Sequence, residues 1–371
     1  MQHPEKVIWG GKHVIIVTRS PPDEIEHPTF GGSRLVRKLR EELEENGSKC
    51  SVLSLHDVPS ISLYFLRIQK KKYSRRKFLK MEKIQWFLSL LISLIGDFLA
   101  RFDVLLYLRL SQKLKRINPD IVIYNGSFGA FPVFLISKKL NSMFVLSEHN
   151  VDYYFYLEKL NSKISKPFIS LLKFIELSTA KNADLVLCFN EKDKQRLIHD
   201  GVPSNKILVW KFNIPQITKY KDFSQLPRKI RNIIKGKPVV CFLGADYSVN
   251  VLAVEHLIEI AKSLPHVIFL IVGSVGEKFK HKNNLPPNVI ITGYVESIEP
   301  YLAVADIFVN PKITSDTGIE VKMFDYLKYG KPIISTEIGA RGFEHYKNVI
   351  VVRDLIEMKE RIEELCKEVV K

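Results

Sequence analysis

A lysine and a carboxylate three residues apart, Lys322 and Asp325, follow Gly318 by one turn in the stretch Thr317-Gly-Ile-Glu-Val-Lys-Met-Phe-Asp325. On a helix opening near Thr317 and Gly318, spacings of four and three put Gly318, Lys322 and Asp325 on one stripe. The unpaired N–H groups and positive dipole end of such a helix suit a diphosphate. Lys322 would add a point charge to the same phosphates. Asp325, a turn further on, has two acceptor oxygens for a pair of neighbouring sugar hydroxyls. Together these groups describe a nucleotide-sugar site. The same spacing is also that of a solvated Lys–Asp pair worth about a few tenths of a kcal/mol, so the elements around it have to decide.

Those elements alternate. Ahead of the stretch lies an apolar run, Ile307 to Val309; behind it Gly330 and Pro332 form a stop signal. Upstream the pattern predicts a strand from Val239 to Leu243 and a helix from about Asn250 to Leu264. Strands from Val267 to Val272 and Asn288 to Ile291 and a helix around Ile298 to Ala305 follow, with a strand from Pro332 to Ser335 beyond. Glycines punctuate three of the strand ends, at Gly244, Gly273 and Gly293. Each alone marks a turn. At strand ends of one parallel sheet they would line a common crevice, which makes Gly244, Asn250, Gly273 and Gly293 donor-binding candidates beside Gly318, Ile319, Lys322 and Asp325.

The N-terminal half repeats the scheme. His13 to Thr18 (HVIIVT) reads as a buried first strand, and Gly31-Gly32-Ser33 precedes a helix in which Leu35, Leu39 and Leu43 recur every fourth residue. Gly32 serves either a tight turn or close approach of a ligand. Further short apolar runs, with helical patterns between most of them, indicate a parallel sheet covered on both faces. One of them, Met143 to Leu146, ends in Ser147-Glu-His-Asn-Val-Asp152. His149 stands there at the carboxyl end of a strand, where it either packs or meets a substrate oxygen. Asn190-Glu-Lys-Asp193 has the form of a helix cap and no assigned chemistry.

A chain of 371 residues exceeds a usual single core and points to two domains. Its net charge of +16 calls for acidic partners. Nucleic-acid binding would interleave cations with aromatics on one face; here they gather at Lys70-Lys-Lys-Tyr-Ser-Arg-Arg-Lys77, Lys80 and Lys83, just ahead of an apolar helix from Ile84 to Ile95. That run is shorter than the roughly 20 residues of a bilayer span. A basic tract beside a Trp/Phe/Leu-rich helix fits the surface of an anionic membrane; the alternative is a core helix pair with a solvated loop. The four cysteines stand far apart, with neither metal-site spacing nor a disulfide framework, and the first residues lack a signal-peptide layout. The expected place is the cytoplasm, peripheral at the inner face of the cell membrane.

Taken in order, several stretches resemble glycosyltransferase family 4. They are Gly31-Gly32-Ser33, Glu148-His-Asn-Val-Asp152, Phe242-Leu-Gly-Ala-Asp-Tyr-Ser-Val-Asn250, Ile271-Val-Gly273 and Thr292-Gly-Tyr294. Ala305-Asp-Ile-Phe-Val-Asn-Pro311 and the Thr317 to Asp325 stretch ahead of Gly330-Lys-Pro332 complete the set. The resemblance implies an α/β protein of two Rossmann-like domains whose parallel sheets face each other across a cleft, the GT-B fold. It implies an acceptor-binding domain over 1–215, a linker over 216–237 and a nucleotide-sugar domain over 238–371. The implied activity is transfer of a sugar from a nucleotide-diphosphate donor with retention, without metal or other cofactor, to a saccharide or lipid-linked acceptor. His149 resembles the family histidine beside the donor sugar, and Asp325 the second glutamate of the family's pair. The first falls on Thr317, so Asp316 or Thr317 is expected to take its contact. The family's Arg/Lys pair after the first strand of the second domain is missing, which leaves more of the diphosphate charge to Lys322. Further readings are a soluble transferase with an anionic saccharide acceptor and a catalytically inactive binding module.

Overall fold

The computed structural model describes residues 8–26, 31–58, 82–160, 162–214, 224–280, 284–314 and 317–369. The chain divides into two compact units, Met1–Phe212 with Asp316–Gly318, and Asn213–Ser315 with Ile319–Lys371. The basic tract at 70–80 and the candidate Asp316 lie outside the described residues.

The first unit is built on a six-stranded sheet: β1 (His13–Thr18), β2 (Lys49–Ser54), β3 (Ile121–Asn125), β4 (Met143–Ser147), β5 (Leu185–Cys188) and β6 (Ile207–Val209), in the order β2-β1-β3-β4-β5-β6. The second carries β7 (Val239–Leu243), β8 (Ile268–Val272), β9 (Val289–Gly293), β10 (Ile307–Asn310), β11 (Ile333–Thr336) and β12 (Val349–Val352), in the order β12-β11-β10-β7-β8-β9. Every paired strand runs parallel to its neighbour. The apolar runs require this. A strand such as β7 or β8, buried at all five positions, needs cover on both faces, which crossover helices supply. In the second sheet the chain builds outward from β7 through β9 and then returns to lay β10 on the other side of β7. That reversal makes β7 and β10 the topological switch point of the sheet, and it is in the crevice beyond the carboxyl ends of such strands that open α/β sheets take ligands. Behind it Phe242, Leu257, Phe269 and Val309 fill the core.

The stretch expected as a linker is described from residue 224 onward. It contains a helix, Arg228–Ile234, with Leu226 and Ile234 buried.

The glycines at the strand ends of the second unit are needed by the fold itself. Gly273 has φ +101°, and a Cβ there would stand 2.5 Å from the Gly244 carbonyl oxygen. Its N–H donates to Gly293 O at 3.1 Å, so the strand ends are tied backbone to backbone. Gly273→Ala is therefore expected to destabilise by about 3 kcal/mol, from left-handed strain and backbone displacement together. Gly32→Ala, where a Cβ meets nothing within 4 Å among the described residues, should be neutral or slightly stabilising in the same thermal melt. Equal losses at both positions would contradict this account.

Two helices of the first unit, Glu82–Phe102 and Val104–Ile117, leave much apolar surface open. Ile84, Leu88, Ile95, Phe98 and Phe102 are exposed along the first, and Val104, Leu105 and Leu108 continue onto the second. The opposite side of the first helix is buried through Leu90, Leu94 and Ala100 and packs Trp86 edge-on against Phe155. Among the described residues no helix is long and apolar enough to cross a membrane.

Candidate active site

The crevice between β7 and β10 brings four side chains together. β7 ends at Gly244, where a Cβ would meet the Phe242 ring at 2.9 Å and the Asn250 side chain at 3.2 Å. Only a bare Cα lets the chain turn so closely into the Ser248–Ser263 helix that carries Asn250. Asn250 Nδ2 donates to Ala245 O at 2.9 Å, which leaves its Oδ1 to accept from Lys322 Nζ, also at 2.9 Å. Lys322 Nζ lies 4.3 Å from the centroid of the Phe242 ring. Beyond β10, Lys312 Nζ meets Glu320 Oε1 at 2.5 Å, and Lys322 Nζ stands 3.5 Å from Glu320 Oε2. Two ammonium groups, one from the loop after β10 and one from the head of the helix that starts at Lys322, are thus held by one carboxylate.

Burial opposes the charge on Glu320, but Lys312 and then Lys322 outweigh it and hold the carboxyl down at about 2. Burial pushes Lys322 below the usual lysine range, with Glu320 opposing and Lys312 adding to the shift. Two cations against one anion leave a surplus positive charge, fixed in position before any ligand arrives.

The helix itself departs from expectation. It spans Lys322–Leu327, with Val321 at its cap and no side-chain cap bond, so Gly318 lies outside it. The reason is local: Gly318 has φ +74°, a left-handed conformation through which a right-handed helix cannot run. Lys322 and Asp325 do share a face, one turn apart, and Asp325 is buried with Lys328 Nζ at 3.9 Å. A six-residue helix starting at Lys322 offers little dipole. The positive charge of the crevice therefore rests on the lysines, and not on a helix end at Gly318.

Gly273 and Gly293 stand at the ends of β8 and β9, engaged in backbone packing as described. Ile319 is half-buried beside Glu320. Thr317 is buried, and its hydroxyl has no hydrogen-bond partner among the described residues. In the first unit, His149 follows β4, and its Nδ1 is buried without a hydrogen-bond partner among the described residues. A Cβ on Gly126 would stand 3.8 Å from the imidazole and 3.9 Å from the Arg19 guanidinium. Burial holds the imidazole below the ordinary histidine range, Asp152 opposing and Arg19 adding, which favours the neutral ring. Gly32 lies in the first turn of the Gly31–Glu45 helix, and a Cβ there would meet nothing within 4 Å among the described residues. Asn190 caps the Glu191–His199 helix by accepting from Asp193 N–H at 2.8 Å.

Lys312 and Glu320 escaped the sequence reading. The signal for Lys312 was a lysine directly after Asn310-Pro311 at the end of a buried strand, where a long cation has to turn toward an anion. For Glu320 it was a carboxylate two residues before Lys322. Among the described residues no cluster of His, Cys, Asp and Glu has the form of a metal site.

Two family models match the chain: Glycosyltransferase Family 4 over residues 29–211 and Glycosyl transferases group 1 over residues 237–368. No match was found among curated protein sequences. Among solved structures, Anabaena HepE in complex with UDP aligns with a TM-score of 0.62 at 15% identity, over 96% of this chain and 90% of that one. Sucrose-phosphate synthase from Thermosynechococcus elongatus aligns with a TM-score of 0.62 at 13% identity, over 96% and 90%. The lipopolysaccharide outer core galactosyltransferase WaaB in its apo form gives 0.55 at 14%, over 97% and 91%. At such identities the structures speak for the fold alone; with family models matched over both halves, the chain belongs to the family 4 glycosyltransferases and carries their GT-B fold.

Proposed function

We propose that this glycosyltransferase takes its sugar from a nucleotide-diphosphate donor held on the second unit, and passes it with retention to a lipid-linked or polysaccharide acceptor at the cytoplasmic face of a membrane. The single observation that carries the donor part is the crevice at β7 and β10, where Lys322, tied to Asn250 and Glu320, stands one helical turn from the buried Asp325. HepE has been solved with UDP and with UDP-glucose, which supports a ligand of this class.

The chemistry follows from where charge develops. As the bond from sugar to diphosphate breaks, negative charge grows on the leaving phosphate, and Lys322 with Lys312 stabilises it without reorganising. Asp325 accepts the ribose hydroxyls and fixes the donor's long axis. His149, held toward its neutral form and with a ring nitrogen that has no partner among the described residues, serves the donor sugar, with Thr317 or Asp316 in place of the family's first glutamate. The lysines supply the positive charge, and no cofactor enters the scheme.

The membrane part is supported by the open apolar row from Ile84 to Leu108 and by the cations of the adjoining sequence, Lys70 to Lys83. Such a combination fits an anionic bilayer surface.

A thermal-shift screen against nucleoside diphosphates tests the donor part. Ligand at 100 times Kd adds about 2.7 kcal/mol of stability, and this shift should persist in the presence of a chelator. Absence of any response across the common nucleoside diphosphates would refute the donor assignment.

A further inference from the structure

A second cluster of buried charge lies in the first unit, beneath His149. Ser127 Oγ, after β3, stands 3.4 and 3.2 Å from the two carboxylate oxygens of Glu148, 3.1 Å from Asp152 Oδ2 and 3.1 Å from Glu176 Oε1. Ser127, Glu148 and Glu176 are all within 1% of full burial. One hydroxyl proton therefore faces four carboxylate oxygens from three acids. Glu176 is already committed: its Oε1 accepts the Asp152 N–H at 2.8 Å and its Oε2 the Tyr153 N–H at 3.0 Å, closing the head of the Asp152–Lys159 helix. Both oxygens accepting backbone N–H groups is the pattern of an ionised carboxylate. A second bare carboxylate buried against it would be uncompensated.

We propose that Glu148 is a positioning residue that works protonated: the proton it shares with Glu176 closes the hydrogen-bond net that fixes the turn Glu148–Asp152, and with it the imidazole of His149. The inference rests on the proposed role of His149 at the donor sugar. Glu148 lies between the β4 strand and that histidine, with its own N–H held by Leu187 O at 2.8 Å. A proton on Glu148 turns the repulsion of two acids into a donated hydrogen bond and frees the Ser127 proton for another oxygen.

The other groups around the turn do not replace that proton. Asp97, from the Glu82–Phe102 helix, accepts the Gly129 N–H at 2.8 Å and pairs with Arg101 at 3.0 Å. Tyr124 of β3 gives its hydroxyl proton to Phe128 O. Arg19, beyond β1, lies over the Phe128 ring at 5.5 Å and near His149. Asp152 Oδ2, at 3.1 Å, is a further oxygen within reach of the Ser127 hydroxyl. Burial first, then Glu176 and Asp152, hold the Glu148 carboxyl well above its ordinary range; burial and Asp152 push Glu176 upward too, but there the Asp152 N–H and the hydrogen bonds from Ser127 and Glu148 oppose the shift, which leaves the proton on Glu148.

The sign of the pH dependence follows. The folded chain keeps a proton that the unfolded chain gives up above about pH 4.3. Stability from this group is therefore full at acid pH and declines as pH rises toward the folded value. Glu148→Gln keeps a donor for Glu176 and has no proton to lose. It is expected to melt at or above the wild-type temperature at about pH 8, with the difference closing toward about pH 5. Glu148→Ala should melt lower at both.

The positional claim needs a probe at His149. The imidazole Cε1–H resonance, assigned by its loss in His149→Asn, should stay in place in Glu148→Gln and move or broaden in Glu148→Ala. Where a donor turns over, kcat should be kept in Glu148→Gln, with the alkaline limb of its pH profile moved outward, and lost in Glu148→Ala. A Glu148→Gln protein less stable than wild type at every pH would mean that Glu148 works as an anion, which overturns the proposal. So would an unmoved His149 signal in Glu148→Ala. A total absence of turnover with every donor refutes the role given to His149, whereas the melting and resonance comparisons decide the shared proton by themselves.

Discussion

Replacing Lys322 by alanine is expected to lower kcat/KM for sugar transfer by about 10²–10³-fold, the range found when one preorganised donor to a developing oxyanion is removed. Most of the loss should fall on kcat, because the diphosphate gains charge between bound donor and transition state. The stabilisation of the folded protein by nucleoside diphosphate should vanish as well. The variant should still fold. Glu320 keeps its contact to Lys312 at 2.5 Å, so no buried carboxylate is stranded, and Asn250 keeps its bond to Ala245 O. Lys322→Arg should recover only part of the rate. A guanidinium is wider and planar, and the space between Asn250, Glu320 and the Phe242 ring is shaped around a compact ammonium. Steady-state kinetics beside thermal shift separates the two effects. A Lys322→Ala enzyme with undiminished kcat would show that this lysine only neutralises Glu320.

Much of this was legible in the sequence, and what was not has identifiable causes. The strands were readable because a β-branched run such as HVIIVT has no other stable home than a strand covered on both faces, and β1 spans His13–Thr18 as expected. Lys322 and Asp325 were readable as a pair because helical spacing survives a wrong helix start. The start itself was misplaced at Gly318. A glycine before a helical run reads equally as a first-turn residue or as a left-handed turn, and only the backbone shows φ +74°. Lys312 and Glu320 were missed because their partnership is tertiary: eight residues separate them, across a turn no periodicity describes. The acid cluster at Ser127 was invisible for the same reason, since Glu148 and Glu176 come from different elements brought together by β4 and the Lys166–Asn182 helix. Gly273 was legible as a strand-end glycine, but only the coordinates show that its bare Cα faces the Gly244 carbonyl.

Putting glutamate in place of both Phe98 and Phe102 is expected to abolish binding to vesicles that contain anionic lipid, a fall in partition of about 10²–10³-fold. The estimate follows from area. Fully burying a Phe side chain is worth about 1.5–3 kcal/mol, and two partly inserted rings contribute about 3–4 kcal/mol before the added negative charges are counted. Spacings of four, seven, three and four place Ile84, Leu88, Ile95, Phe98 and Phe102 on one stripe of the helix. The last two are 61% and 70% exposed. Side chains that open give the core little, so their replacement should leave the melting temperature nearly unchanged, unlike a substitution at Leu90 or Leu94 on the buried side. The cations act differently. Lys83 at the head of this helix, Arg109 and Lys113 on the next, and the eight lysines and arginines of residues 59–81 attract the surface over a Debye length of about 8 Å. Raised salt should weaken binding of the wild type, and vesicles of neutral lipid should bind it less. Flotation of the protein with vesicles of both compositions, at low and high salt, measures both contributions. If the wild type stays at the bottom of the gradient with anionic vesicles at low salt, or the doubly substituted protein floats equally well, the apolar row has some other occupant and the acceptor need not be sought in a lipid.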